Sequence, residues 1–163
     1  VSPLFGWLES TAFSAWVRES PSMFAFPAIL TCHTVGMGVA AGINTALALR
    51  ILGVGPGIPI QELPRFLSIM WFGFWLNAIS GVALLVAYPT KAFTNPDFYL
   101  KLALIAVAVA LVKPISRRAS GVDLGSAIGA TLKLLAVTSI VCWFGAITAG
   151  RLLAYTYTRL LAR

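Results

Sequence analysis

Long apolar runs separated by short polar, Gly- or Pro-rich breaks dominate the chain. The first runs from Pro21 to Leu49, with no charged residue between Glu19 and Arg50. At 1.5 Å per residue it is long enough to cross a hydrocarbon core of about 30 Å. A second charge-free run extends from Phe66 to Tyr88 and stops at Pro89. A third begins after Asn95-Pro96-Asp97, an N-cap signal with an acid placed for the helix dipole, and Lys113-Pro114 ends or kinks it. The fourth covers about Thr131 to Tyr155, with Lys133 and Arg151 near its ends and a basic tail at Arg159 and Arg163.

Ahead of these, Phe5, Leu8, Ala12, Phe13 and Trp16 share one side of a helical wheel, which predicts a short helix over 4–18 lying in the membrane interface. Glu9 interrupts that side. Ser20-Pro21 reads as N-cap and first position of span one. The connector Gly53–Pro59 cannot be regular helix. The expected fold is all-α: one integral membrane domain over residues 1–163, an up-down-up-down four-helix transmembrane bundle with spans near 21–50, 66–88, 97–114 and 131–155.

Stripe positions predict which faces meet. His33, Gly36, Met37, Ala40, Asn44 and Ala48 form one stripe of span one; Gly38, Gly42 and Thr45 form a second. Small residues let membrane helices approach closely, so two such stripes put span one at the bundle centre. Met70, Gly73, Asn77, Ser80, Gly81, Leu84 and Tyr88 form the matching stripe of span two, opposite Trp71, Phe72, Trp75, Ile79 and Val82. Leu135, Ser139, Cys142, Ala146 and Gly150 do the same for span four. His33 and Asn77, both read as mid-span, should share an interior region.

Composition agrees with the pattern. Of 163 residues 59% are apolar and 10% charged, against about 25% charged in soluble domains. The mean hydropathy is +0.89. No short apolar run followed by an A-x-A-like site opens the chain, so no cleaved signal peptide is expected. The net charge of +7 is read as headgroup contact rather than nucleic-acid binding. The 12 Lys and Arg divide six to each side, so they do not fix orientation. The tight Lys113, Arg117, Arg118 cluster is the end expected in the cytoplasm, which would put both termini outside. Lys101, in the first turns of span three, should snorkel outward.

Candidate chemistry is sparse. All five acids, Glu9, Glu19, Glu62, Asp97 and Asp123, lie outside the spans, which argues against a carboxylate proton relay or metal site. Cys32 and Cys142 form no CxxC or CxxCH and read as buried free thiols. No phosphate loop or nucleophile elbow occurs, so enzymatic activity of this chain alone is not expected. That leaves His33, the single histidine, where an ionisable group is costly. Three readings stand open. It can be a neutral ring bonded to Asn77, Asn44 or a helix carbonyl, holding helices in register. It can be an axial ligand of haem b, with Met70 or another subunit's histidine opposite. Or, with Asn77, it can donate to a quinone, carotenoid or lipid.

Three segments resemble a family of bacterial multi-pass inner-membrane proteins without an established activity. They are His33 to Gly36 with Gly42 and Ala48-Leu49-Arg50-Ile51-Leu52-Gly53, similar to an H-x-x-G…D-L-R-L-L-G run; Trp71-Phe72-Gly73 with Asn77 and Ser80-Gly81; and Ser139 to Trp143 with Ala149-Gly150-Arg151-Leu152-Leu153-Ala154-Tyr155. Ala48 stands where the family pattern has an acid. The resemblance implies a four-span protein of the bacterial inner membrane. The expected function is a non-catalytic integral subunit of a larger redox, respiratory or photosynthetic complex, in contact with lipid and other membrane subunits. The alternative is a small electron-transfer protein holding haem b or quinone at His33, Asn77, Met70 or Asn44. Transport is less well served, because no buried acid is available to couple ions.

Overall fold

A computed structural model describes residues 3–122 and 127–160; Val1, Asp123 and Arg163 lie outside them, as does the side chain of Arg159. The elements in order are α1 (Pro3–Glu9), α2 (Ala12–Glu19), α3 (Phe26–Ile51), a 3-10 helix (Ile60–Phe66), α4 (Leu67–Ala87), α5 (Pro89–Phe93), α6 (Pro96–Ser120) and α7 (Ala130–Leu160). No strand occurs among the described residues. α3, α4, α6 and the Ala130–Leu153 part of α7 are long and apolar enough to cross a membrane. The chain is therefore a multi-pass membrane protein with an all-α, four-helix bundle.

α3 packs along α4 on one side and α7 on the other, and α7 packs along α6. The bundle is an arc in the order α4, α3, α7, α6, and α4 and α6 are not packed along their lengths. The up-down-up-down order makes α3 and α6 parallel, and both bury side chains at seven-residue intervals. One layer joins Ala40, Ala41, Ala108, Cys142 and Trp143. The next joins Leu47, Ala48, Ile51, Ile60, Ile115, Ala119, Leu132 and Ala136. Burial in these layers removes the inner faces from lipid; the outer faces, including Phe72, Trp75, Ile79 and Val82 of α4, stay exposed.

Several boundaries differ from the expected ones, each for a local reason. Ser20-Pro21 does not start α3. Ser20 closes α2, its N–H donating to the Trp16 carbonyl, and α3 starts at Phe26 with Pro27 in its first turn. The interfacial segment is two helices rather than one, broken at Ser10-Thr11, where Thr11 Oγ1 caps α2 through the Ser14 N–H. α6 does not stop at Pro114 but continues to Ser120. A membrane helix tolerates an internal proline because neighbours and local adjustment relieve the freed carbonyl. The Asn95 cap holds, with Oδ1 accepting from the Asp97 N–H at 2.9 Å. Gly53 and Gly55 turn the chain after α3 with φ of +104° and +66°, values open to glycine without Cβ strain. Arg50 donates to the carbonyls of Ile58 and Pro56 and fixes that connector.

The small-residue stripes also need correction. Gly38 and Gly42 are exposed, and an added Cβ at either would meet nothing within 4 Å. The second packed side of α3 is carried instead by Ala40, Ala41, Leu47 and Ala48. Cys32 is exposed on the outer face, whereas Cys142 is buried. Glu9 is not a misfit on the interfacial helix: its carboxylate accepts from the Thr90 N–H at 3.4 Å, at the start of α5. Arg18 donates to the Ala87 carbonyl at 3.0 Å and the Glu9 carbonyl at 2.8 Å, tying α1 and α2 to the last turn of α4.

Candidate functional site

The α3–α4 contact is close because two glycines face each other. A Cβ on Gly36 would lie 2.6 Å from the Asn77 backbone N and 2.7 Å from the Gly73 carbonyl O. A Cβ on Gly73 would lie 2.7 Å from Val39 Cβ. Backbone approach of this kind needs residues without side chains on both helices. Three residues before Gly36, His33 reaches α4 about one turn further along it, at Asn77, Ser80 and Gly81.

His33 and Asn77 clasp each other's backbone. His33 Nδ1 lies 3.0 Å from the Asn77 carbonyl O, and Asn77 Nδ2 donates to the His33 carbonyl at 2.7 Å. A carbonyl only accepts, so Nδ1 carries the ring proton and donates; this assignment rests on the partners. The 3.2 Å separation of Asn77 Nδ2 from Nδ1 is then proximity between two donors, not a second bond. Ser80 Oγ lies 3.4 Å from Nδ1 and donates to the Leu76 carbonyl at 2.6 Å. Gly81 leaves the space that the imidazole fills, since a Cβ there would come within 3.0 Å of His33 Cε1.

The other ring nitrogen meets a third helix. Lys101 Nζ stands 3.3 Å from Nε2, which in this tautomer has a lone pair to accept. Lys101 therefore does not snorkel outward; it is half-buried and turned into the bundle. The Arg18–Glu19 and Arg65–Glu62 ion pairs do not include it. Gly150 of α7 adjoins the same amine, an added Cβ lying 3.5 Å from Nζ. Four spans thus meet at one polar node: His33 from α3, Asn77, Ser80 and Gly81 from α4, Lys101 from α6 and Gly150 from α7.

The node lies in the first third of α3 rather than at its middle, and in the second turn of α6. On α4 the node sits at mid-span, Asn77 being the eleventh of 21 residues, whereas Lys101 is little more than a turn from the start of α6; a long cationic side chain is less costly near a span end than at its centre. The sequence contains a signal for this placement. Lys101 is seven residues before Ala108 and fourteen before Ile115, both buried, so it falls on the inward face of α6.

Two other candidates do not join the node. Met70 is fully buried but lies seven residues from Asn77, about 10 Å along α4. Asn44 is buried eleven residues beyond His33, and its Nδ2 donates to the Ala40 carbonyl of its own helix at 2.8 Å. Lys101 occupies the place that a ligand at Nε2 would take. Among the described residues no group of three or more His, Cys, Asp or Glu could hold a metal ion.

No family model, curated protein or solved structure matches the chain.

Proposed function

We propose that this membrane protein is a non-catalytic subunit of a larger assembly in the bacterial inner membrane, of the redox, respiratory or photosynthetic kind, and that the His33 node is its internal clasp. One observation carries the reading: both imidazole nitrogens are engaged within the chain, one by the Asn77 carbonyl and one by Lys101. Iron at Nε2 would require Lys101 to move aside. The ring serves instead to lock three spans in register, a use of polar side chains that suits a medium where an unpaired polar group is costly. The broad aromatic face of α4, with Phe72 68% and Trp75 59% exposed, supplies surface for lipid and neighbouring subunits. The bacterial inner membrane rests on the resemblance of the His33–Gly53, Trp71–Gly81 and Ser139–Tyr155 segments.

The test is extraction from native membranes in mild detergent, followed by native electrophoresis and a visible spectrum. Migration with other membrane subunits and no Soret band are expected. A stable lone monomer would overturn the subunit role, and a Soret band lost in His33→Ala would restore haem.

A quinone remains the second reading, favoured by one feature: Lys101 has further N–H donors, is half-buried, and borders Gly150, which has no side chain to cover it. A quinone carbonyl could accept there. Quinone co-purifying with the wild type and lost in Lys101→Met would support this reading over a purely structural clasp.

A further inference from the structure

The arc of spans leaves one side of the bundle open, between the first half of α4 and the second half of α6. A crevice of about 280 Å³ lies there. Its walls are apolar, formed by Leu67 and Trp71 of α4 and Val109 and Val112 of α6, and Lys113 and Arg117 of α6 also line it. The two cations are four residues apart, hence neighbours on one helix face about 6 Å apart along the axis. No carboxylate lines the crevice. Glu62, the acid of the adjoining 3-10 helix, is paired with Arg65.

We propose that this crevice binds one anionic phospholipid, its phosphate held between Lys113 and Arg117 and an acyl chain laid along Leu67, Trp71, Val109 and Val112. Each property of the site matches a part of such a molecule. The apolar walls run between two membrane spans, so their natural neighbour is hydrocarbon. The cations stand at the end of the spans, where headgroups lie. Basic pockets between spans attract anionic headgroups, with each Lys or Arg near the surface contributing appreciably. Trp71, 36% exposed, is an amphipathic ring suited to the boundary between chain and headgroup. The volume suits part of one lipid rather than an enclosed drug-sized ligand.

The experiment uses the full chain in detergent, exchanged with phosphatidylglycerol or phosphatidylcholine and read by native mass spectrometry. One phosphatidylglycerol retained per chain, in preference to phosphatidylcholine, is the expected result. The double variant Lys113→Ala/Arg117→Ala should reduce that preference about 25-fold, the product of two headgroup-level charges. The pair Arg118→Ala/Lys133→Ala, outside the crevice, should leave it within about twofold. Equal loss in the two pairs, or no preference in the wild type, would overturn the proposal in favour of diffuse surface charge. Displacement of the lipid by millimolar inorganic phosphate would also overturn it, showing that the headgroup alone is bound. Helix content by circular dichroism accompanies each variant. Should the double alanine variant unfold, Val109→Phe fills the crevice while keeping both charges, and must likewise lose the lipid. Phosphatidylglycerol with brominated chains should quench wild-type fluorescence more than that of Trp71→Phe; equal quenching would reject the acyl-chain placement.

Discussion

The α3–α4 seam and the α6–α7 seam face the same solvent problem and meet it differently. Lipid tails are as apolar as leucine, so burying apolar area gives little drive for spans to associate. Between α3 and α4 the backbones nearly touch at Gly36 and Gly73, and the contact is finished by the His33–Asn77 clasp. Between α6 and α7 the helices also pack closely, but side chains fill the contact. Trp143 is 2% exposed beside Ala108, and Leu104 covers Gly145. The first seam depends on side chains being absent, the second on a large side chain, Trp143, set among small residues. Substitutions that are mild at one seam should therefore be severe at the other.

That contrast can be broken or sharpened by reversible unfolding in mixed micelles. Trp143→Ala should produce the largest loss, about 3–5 kcal/mol, because it opens a cavity among Ala40, Ala41, Ala108 and Cys142. Gly36→Ala adds a single methyl yet should cost about 2–3 kcal/mol, since its Cβ meets backbone atoms of α4 that cannot rotate aside. Asn77→Ala removes the clasp and should cost about 0.6–1.7 kcal/mol, the range of interhelical hydrogen bonds in membranes. Gly38→Ala closes the series as the control for Gly36. It meets nothing within 4 Å and should be neutral or gain up to about 1 kcal/mol from helix propensity. If Gly36→Ala and Gly38→Ala behave alike, the close α3–α4 approach is wrong.

The spans, and the convergence of His33 with Asn77, were legible because hydropathy marks one and few polar side chains inside the spans leave little choice for the other. The inward turn of Lys101 was not. A lysine in the first turns of a span reads as an interface residue, and only its register with Ala108 and Ile115 distinguishes the two cases. Gly38 and Gly42 misled for the opposite reason: small residues permit contact but do not attract it. Met70 and Asn44 share stripes with the node residues, yet a stripe fixes a face and not a depth, and both lie turns away. Glu9 and Arg18 could not be paired with α5 and α4 from sequence, because their partners are backbone groups, which every residue presents.

Lys101 also bears on how the molecule is made. The ribosome delivers it 68 residues after His33. Until α6 reaches α3, the amine has no imidazole to meet and is best solvated at the headgroups, so a newly threaded third span should ride high in the bilayer. Docking onto the first hairpin would then draw it down to its final depth, making the imidazole a tether that sets where a later segment comes to rest.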